Sequence, residues 1–191
     1  MLFLDNIEKK IKDESVIDEI NLTGEGRKKM LEDIVIDILK DIDENKTKEK
    51  LNEIFEGKNF LVIDNDYSGC YLLETHLKQV RGNVDVSYDF KDAMKKLQNK
   101  KYDFILGEFD LNHAKLLGGA EFLKNIKENS KFKNILTIAI TSDAMIGEEK
   151  IYEDFGCDAY ITKPIQRKKL LEDIIKLHVI KNKNFMLLKI Q

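Results

Sequence analysis

The chain has 191 residues, room for one domain of ordinary size plus an appendage. Apolar residues make up 42% and charged residues 35%, with acids and bases nearly balanced at a net charge of −3, which argues against a dedicated nucleic-acid binder with a basic face. No apolar run approaches the length of a membrane span, and the stretch from Met1 to Asp5 lacks the basic start and long apolar run of a secretory signal.

Residues 1–57 hold no strand-like segment and no proline. Apolar residues recur at helical spacing at Ile7 and Ile11, at Val16, Ile17 and Ile20, and most clearly at Leu31, Ile34, Val35, Ile38, Leu39 and Ile42. A third stretch offers Leu51, Ile54 and Phe55, and Gly57 suits a helix stop. Breaks at Thr23 to Gly26 and at Asn45 to Thr47 separate them. This predicts two or three amphipathic helices. They are too poor in apolar residues to stand alone, so 1–57 is read as a dimerisation or docking region.

From Lys58 the pattern alternates between strand and helix. Strands are predicted at Phe60–Ile63, Val84–Tyr88, Tyr102–Leu106, Ile135–Ile140 and Ala159–Ile161. Helices are predicted at Cys70–Val80, Phe90–Gln98, Ala120–Glu128, Gly147–Phe155 and Ile165–Val179. Five β-α units in sequence imply an α/β fold, a doubly wound five-stranded parallel sheet of the flavodoxin type, over residues 58–180. Right-handed crossovers follow. Residues 181–191 are left as a tail, too apolar at Phe185 to Leu188 to be free; it docks on the body or leads into a further segment.

Chemistry-bearing residues gather where the predicted strands end. The first strand gives Asp64, Asn65 and Asp66; the third gives Glu108; the fourth gives Thr141 and Ser142; the fifth gives Lys163 and Pro164, the only proline in the chain. In an open α/β sheet these ends converge on one edge, where such folds bind ligands. Carboxylates, a hydroxyl and an ammonium there suit Mg²⁺ and phosphoryl chemistry. Bland roles compete with these. Asp66 is read as the cap of the next helix, and Thr141 and Ser142 could be caps as well. Cys70 and Cys157 stand at no metal-ligand spacing and are read as buried free thiols in a reducing cytoplasm. His76, His113 and His178 are expected to be solvated.

These segments resemble the receiver domain of two-component response regulators, in particular stand-alone receivers. The resemblance covers about residues 59–180. It rests on the acidic strand end at Phe60 to Asn65, the strand from Tyr102 to Glu108, the segment from Thr137 to Met145, and the stretch from Gly156 to Pro164. It implies that Asp64 is the first acid of a metal-binding pair and that Thr141 is the hydroxyl contacting a phosphoryl group. It further implies that Tyr160 is the aromatic switch, that Lys163 reads the phosphoryl charge, and that Pro164 follows through a cis bond. The implied partners are a histidine kinase pathway or an effector protein, with a homodimer as an option. The implied contact face is the fourth helix, fifth strand and fifth helix, and no output module is expected after Val179.

Two positions depart from the family pattern. Asn65 stands where a second acid usually contacts Mg²⁺, and Glu108 stands where the phospho-accepting aspartate usually lies. Glutamate is one methylene longer, which pushes its carboxylate towards the phosphoryl position. The expectation is a pseudo-receiver, not an enzyme, with Mg²⁺ weakly bound or absent and Glu108 paired with Lys163. Two alternatives stay open. In one, Glu108 or Asp110 accepts phosphate in a working receiver. In the other, Asp64 and Asp66 form the Asp-x-Asp motif of a haloacid-dehalogenase-type phosphatase.

Overall fold

The computed structural model describes residues 51–109, 111, 117–142 and 148–187, by backbone alone at 117, 148–149 and 179–187. The helices expected before residue 51, and Asp110, His113 and residues 188–191, lie outside this set. By compactness the chain divides into a unit of Phe55–Leu170 and a unit of Met1–Ile54 with Leu171–Gln191.

The first of these units holds the sheet. Its strands are β1 (Asn59–Ile63), β2 (Asn83–Ser87), β3 (Phe104–Gly107), β4 (Leu136–Thr141) and β5 (Ala159–Thr162). They lie in the order β2-β1-β3-β4-β5, all parallel. Helices α1 (Tyr67–Lys78), α2 (Phe90–Asn99), α3 (Leu117–Glu128) and α4 (Glu148–Asp154) make the connections. A final helix, α5 (Arg167–Leu187), begins in this unit. The five-strand expectation therefore holds.

The strands form where the apolar runs are, because a parallel sheet covered on both faces leaves no strand face for water. Phe60, Leu61 and Val62 are fully buried, and all six residues of β4 are buried. A cluster around Leu61, Ile105, Phe109, Phe122, Leu123 and Ala139 forms the core on one side of the sheet. Phe90, Phe109 and Phe122 stack on one another within it, with ring centroids 5.1–6.2 Å apart.

Element ends shift from expectation for local reasons. α1 starts three residues early, at Tyr67, because the Asp66 carboxylate accepts the backbone N–H groups of Ser68 and Gly69. β3 starts late, at Phe104, because the Asp103 carboxylate accepts the Asn59 N–H at the strand's entry. α5 does not end at Val179 but runs to Leu187, through residues expected as tail. No glycine or proline lies between Val179 and Leu187 to stop it.

The second unit is described only at residues 51–54 and 171–187. Here His178 corrects the expectation of solvation: it is buried, at 9% exposure. Leu171, Ile174, Ile175 and His178 fall on one helical stripe, and all four are buried.

Candidate functional site

The winding of the sheet changes direction between β1 and β3, the strand pair where a doubly wound sheet opens a crevice. Ile63 and Gly107 are register partners at the ends of those strands. The residues that follow, Asp64 and Glu108, are therefore neighbours at one sheet edge. Glu108 is held there by its own N–H, which donates to the Ile63 carbonyl at 3.0 Å. On the next strands, Thr141 and Thr162 are partners. The Lys163 N–H then donates to the Thr141 carbonyl at 2.7 Å, and the Lys163–Pro164 peptide bond is cis, as expected.

The Lys163 ammonium closes this edge. Its Nζ donates to Glu108 Oε2 at 2.9 Å and to Asp64 Oδ2 at 3.1 Å. Asp64 Oδ1 accepts the Asp66 N–H at 2.8 Å, so both oxygens of Asp64 are engaged. The Asp64 side chain has no solvent exposure, whereas Glu108 and Lys163 keep 28% and 25%. Burial pulls the Lys163 ammonium towards its neutral form, but the hydrogen bonds to Glu108 and Asp64 outweigh that and raise its pKa above 10.5.

Three of the expected residues thus meet: Asp64, Glu108 and Lys163. The others occupy nearby positions. Thr141 is buried at the end of β4 and holds Lys163 through its carbonyl. Asn65 and Ser142 are exposed. Asp66 caps α1, which ties up the second acid of the Asp-x-Asp pattern. Tyr160 lies half-buried in β5, stacked on Tyr152 with centroids 6.3 Å apart and packed against the core. His76 is half-buried, not solvated, and its Nδ1 has no hydrogen-bond partner among the described residues. Burial, then the Arg167 charge, lowers its pKa.

One residue escaped the sequence reading. A Cβ on Gly69 would lie 2.5 Å from Asp64 Oδ2 and 3.2 Å from its Cγ. The absence of a side chain there lets the helix pass over the buried carboxylate. A glycine inside a helix costs stability relative to alanine, and that anomaly was the available signal. Cys70, the next residue, donates its thiol to the Asp64 carbonyl at 3.3 Å.

Both pocket carboxylates, Asp64 and Glu108, are already paired with an ammonium. Mg²⁺ takes near-octahedral oxygens and is usually held by one or two carboxylates with waters and phosphate. Here two carboxylates share one ammonium, for a net charge of about −1, and Asn65 adds no charge. Among the described residues no group of three or more His, Cys, Asp or Glu is placed to hold an ion.

A family model of the response regulator receiver domain matches residues 60–175. The autoinducer 2 sensor kinase/phosphatase LuxQ of Vibrio vulnificus is 24% identical over 130 residues; these are 68% of this chain but only 15% of LuxQ. The polar-differentiation response regulator DivK of Brucella anthropi is 32% identical over 83 residues, 44% of this chain and 65% of DivK. Among solved structures, the chemotaxis response regulator CheY4 of Vibrio cholerae superposes with a TM-score of 0.57 at 19% identity, over 63% of this chain and 98% of CheY4. The receiver domain of the sensor histidine kinase PA1611 of Pseudomonas aeruginosa, solved with a magnesium ion in its active-site cleft, gives 0.54 at 22% identity, over 65% of this chain and 98% of that domain. The family match spans more than half of the chain. This chain belongs to the response regulator receiver domain family.

Proposed function

We propose that this receiver is a pseudo-receiver of two-component signalling, which acts through protein contacts without the ordinary aspartyl-phosphate cycle. The observation that carries this reading is the double contact of Lys163 with Glu108 and Asp64. Phosphoryl transfer depends on positioning and on cationic neutralisation more than on covalent chemistry by the protein. A lysine already committed to two carboxylates has less charge to offer an incoming phosphoryl group. A glutamate at the acceptor position fills part of the space that group would occupy. The uncharged Asn65 and the commitment of both carboxylates to Lys163 weaken the remaining electrostatic support, so in this reading Mg²⁺ binds weakly or not at all. The domain then rests in one state set by its own ion pairs.

In this reading the module is cytoplasmic and not an enzyme. Its output runs through α4, β5 and the start of α5, where Phe155 offers 40% exposure beside α4. Partners are an effector or a member of a histidine kinase pathway, and residues 1–57 serve docking or dimerisation.

Incubation with acetyl phosphate and Mg²⁺, followed by intact mass, tests the reading. The expected result is an unchanged mass in the native chain. A labile phosphoryl adduct that disappears in Glu108→Ala, or that maps to Asp110, would establish a working receiver instead.

A further inference from the structure

An aromatic platform stands outside the Lys163 contact, across the start of α1 and the end of β2. Tyr67, Tyr71 and Tyr88 are exposed at 69%, 61% and 50%. Tyr67 stacks on both neighbours: its centroid lies 6.5 Å from Tyr71 at an interplanar angle of 11°, and 6.2 Å from Tyr88 at 19°. Half of the chain's six tyrosines are thus in one solvent-facing array. Scattered exposed aromatics need no explanation, but a contiguous exposed group marks an interaction surface. Stacked tyrosines also lose little freedom on binding, since each is already fixed by the next.

The charges around the array identify its partner. Asp66 precedes Tyr67 and Asp89 follows Tyr88; both carboxylates are exposed, and neither forms a salt bridge among the described residues. Glu74, one turn along α1 from Tyr71, is balanced by Lys78 at 2.6 Å. Asp92, in the first turn of α2, is balanced by Lys96. Lys91, exposed in the first turn of α2, offsets one of the two capping acids, so the local surplus is a single negative charge. Tyrosine ring faces are negative as well. Guanidinium groups combine both demands: they stack on aromatic faces and pair with carboxylates.

We infer that the Tyr67–Tyr71–Tyr88 array is a docking surface for an arginine-bearing segment of a partner protein, with Asp66 and Asp89 as its charged rim. The array makes no use of the phosphoryl pocket, so the inference stands whether or not Glu108 is ever phosphorylated.

The test uses the full chain and a fluorescently labelled octa-arginine peptide at low salt, followed by anisotropy. The peptide is expected to bind the native chain, and Tyr67→Ala/Tyr71→Ala is expected to weaken binding about tenfold through the loss of two cation–π contacts. Tyr67→Phe/Tyr71→Phe keeps the rings and is expected to stay within about twofold. Glu121→Gln/Glu128→Gln on the exposed face of α3 removes two negative charges away from the array and is expected to leave binding unchanged. Equal binding by the native chain and the alanine pair overturns the proposal. So does equal loss in the glutamine pair, which would reduce the effect to overall acidity. Self-association of the native chain that the alanine pair abolishes would overturn it too, by making the occupant a second copy of this chain.

Discussion

Glu108 and Lys163 are 55 residues apart in the chain and 2.9 Å apart at the sheet edge, where the same ammonium also reaches Asp64. The three side chains are unequally buried: Asp64 has no access to solvent, while Glu108 and Lys163 keep about a quarter of theirs. The pair is therefore less a tether for Glu108 than a counter-charge for Asp64. Lys163→Met strands the Asp64 carboxylate in a dry position. A loss of about 2 kcal/mol is expected in urea denaturation, below the fully buried range because Lys163 and Glu108 are partly solvated. Asp64→Asn in the same background should restore part of it, since the carboxylate then left without the ammonium, Glu108, is partly open to solvent.

Alkaline pH should act on the same contact. The folded pKa of Lys163 is raised, with the hydrogen bonds to Glu108 and Asp64 outweighing the opposing effect of burial. A group whose folded pKa is raised contributes stability that is fully present below its unfolded value, here near 10.5. That stability is lost as pH rises through the folded value. The urea midpoint of the native chain should thus fall more steeply than that of Lys163→Met once pH passes about 10. Parallel curves would show that the ammonium contributes nothing.

Gly69→Ala should be destabilising, against helix propensity. Alanine is favoured over glycine inside a helix by about 1 kcal/mol. Here the added methyl would sit 2.5 Å from Asp64 Oδ2, an oxygen fixed by Lys163. Either α1 moves or the carboxylate does. A net loss of about 1–2 kcal/mol is expected from thermal or urea unfolding. The same substitution combined with Asp64→Ala should cost less, because the atom that is struck is gone.

The thiols should be silent in the folded protein. Burial, then the Asp64 charge, pushes Cys70 up to about 11. Burial likewise pushes Cys157 up to about 12. Since the thiolate is the reactive form, Ellman's reagent near pH 8 should label neither at an appreciable rate. Both should react at once in denaturant. Rapid labelling that maps to Cys70 in the native chain would mean that its thiol does not stay on the Asp64 carbonyl.

The sheet was legible because its signal is local. Phe60 to Ile63 is apolar without alternation, and Leu136 to Ile140 is apolar but for Thr137, as suits a strand covered on both faces. Element ends were less legible, since they depend on side-chain bonds such as Asp66 to Ser68 and Gly69, or Asp103 to Asn59. His178 was misjudged because a polar residue on an apolar helical stripe looks the same in sequence whether that stripe is covered or open.

The sequence alone determined the parallel α/β fold and placed Asp64, Glu108, Thr141 and Lys163 at strand ends, because strand period and strand length can be read along a chain. Only the tertiary structure decided that Lys163 serves two carboxylates at once, that Gly69 clears the space over Asp64, and that three tyrosines stack in solvent. The Lys163 contacts and the stacking of Tyr67 on Tyr88 depend on distances between segments far apart in sequence, which are set by the order in which the strands lie side by side, and the Gly69 contact depends on how closely α1 turns back over the end of β1.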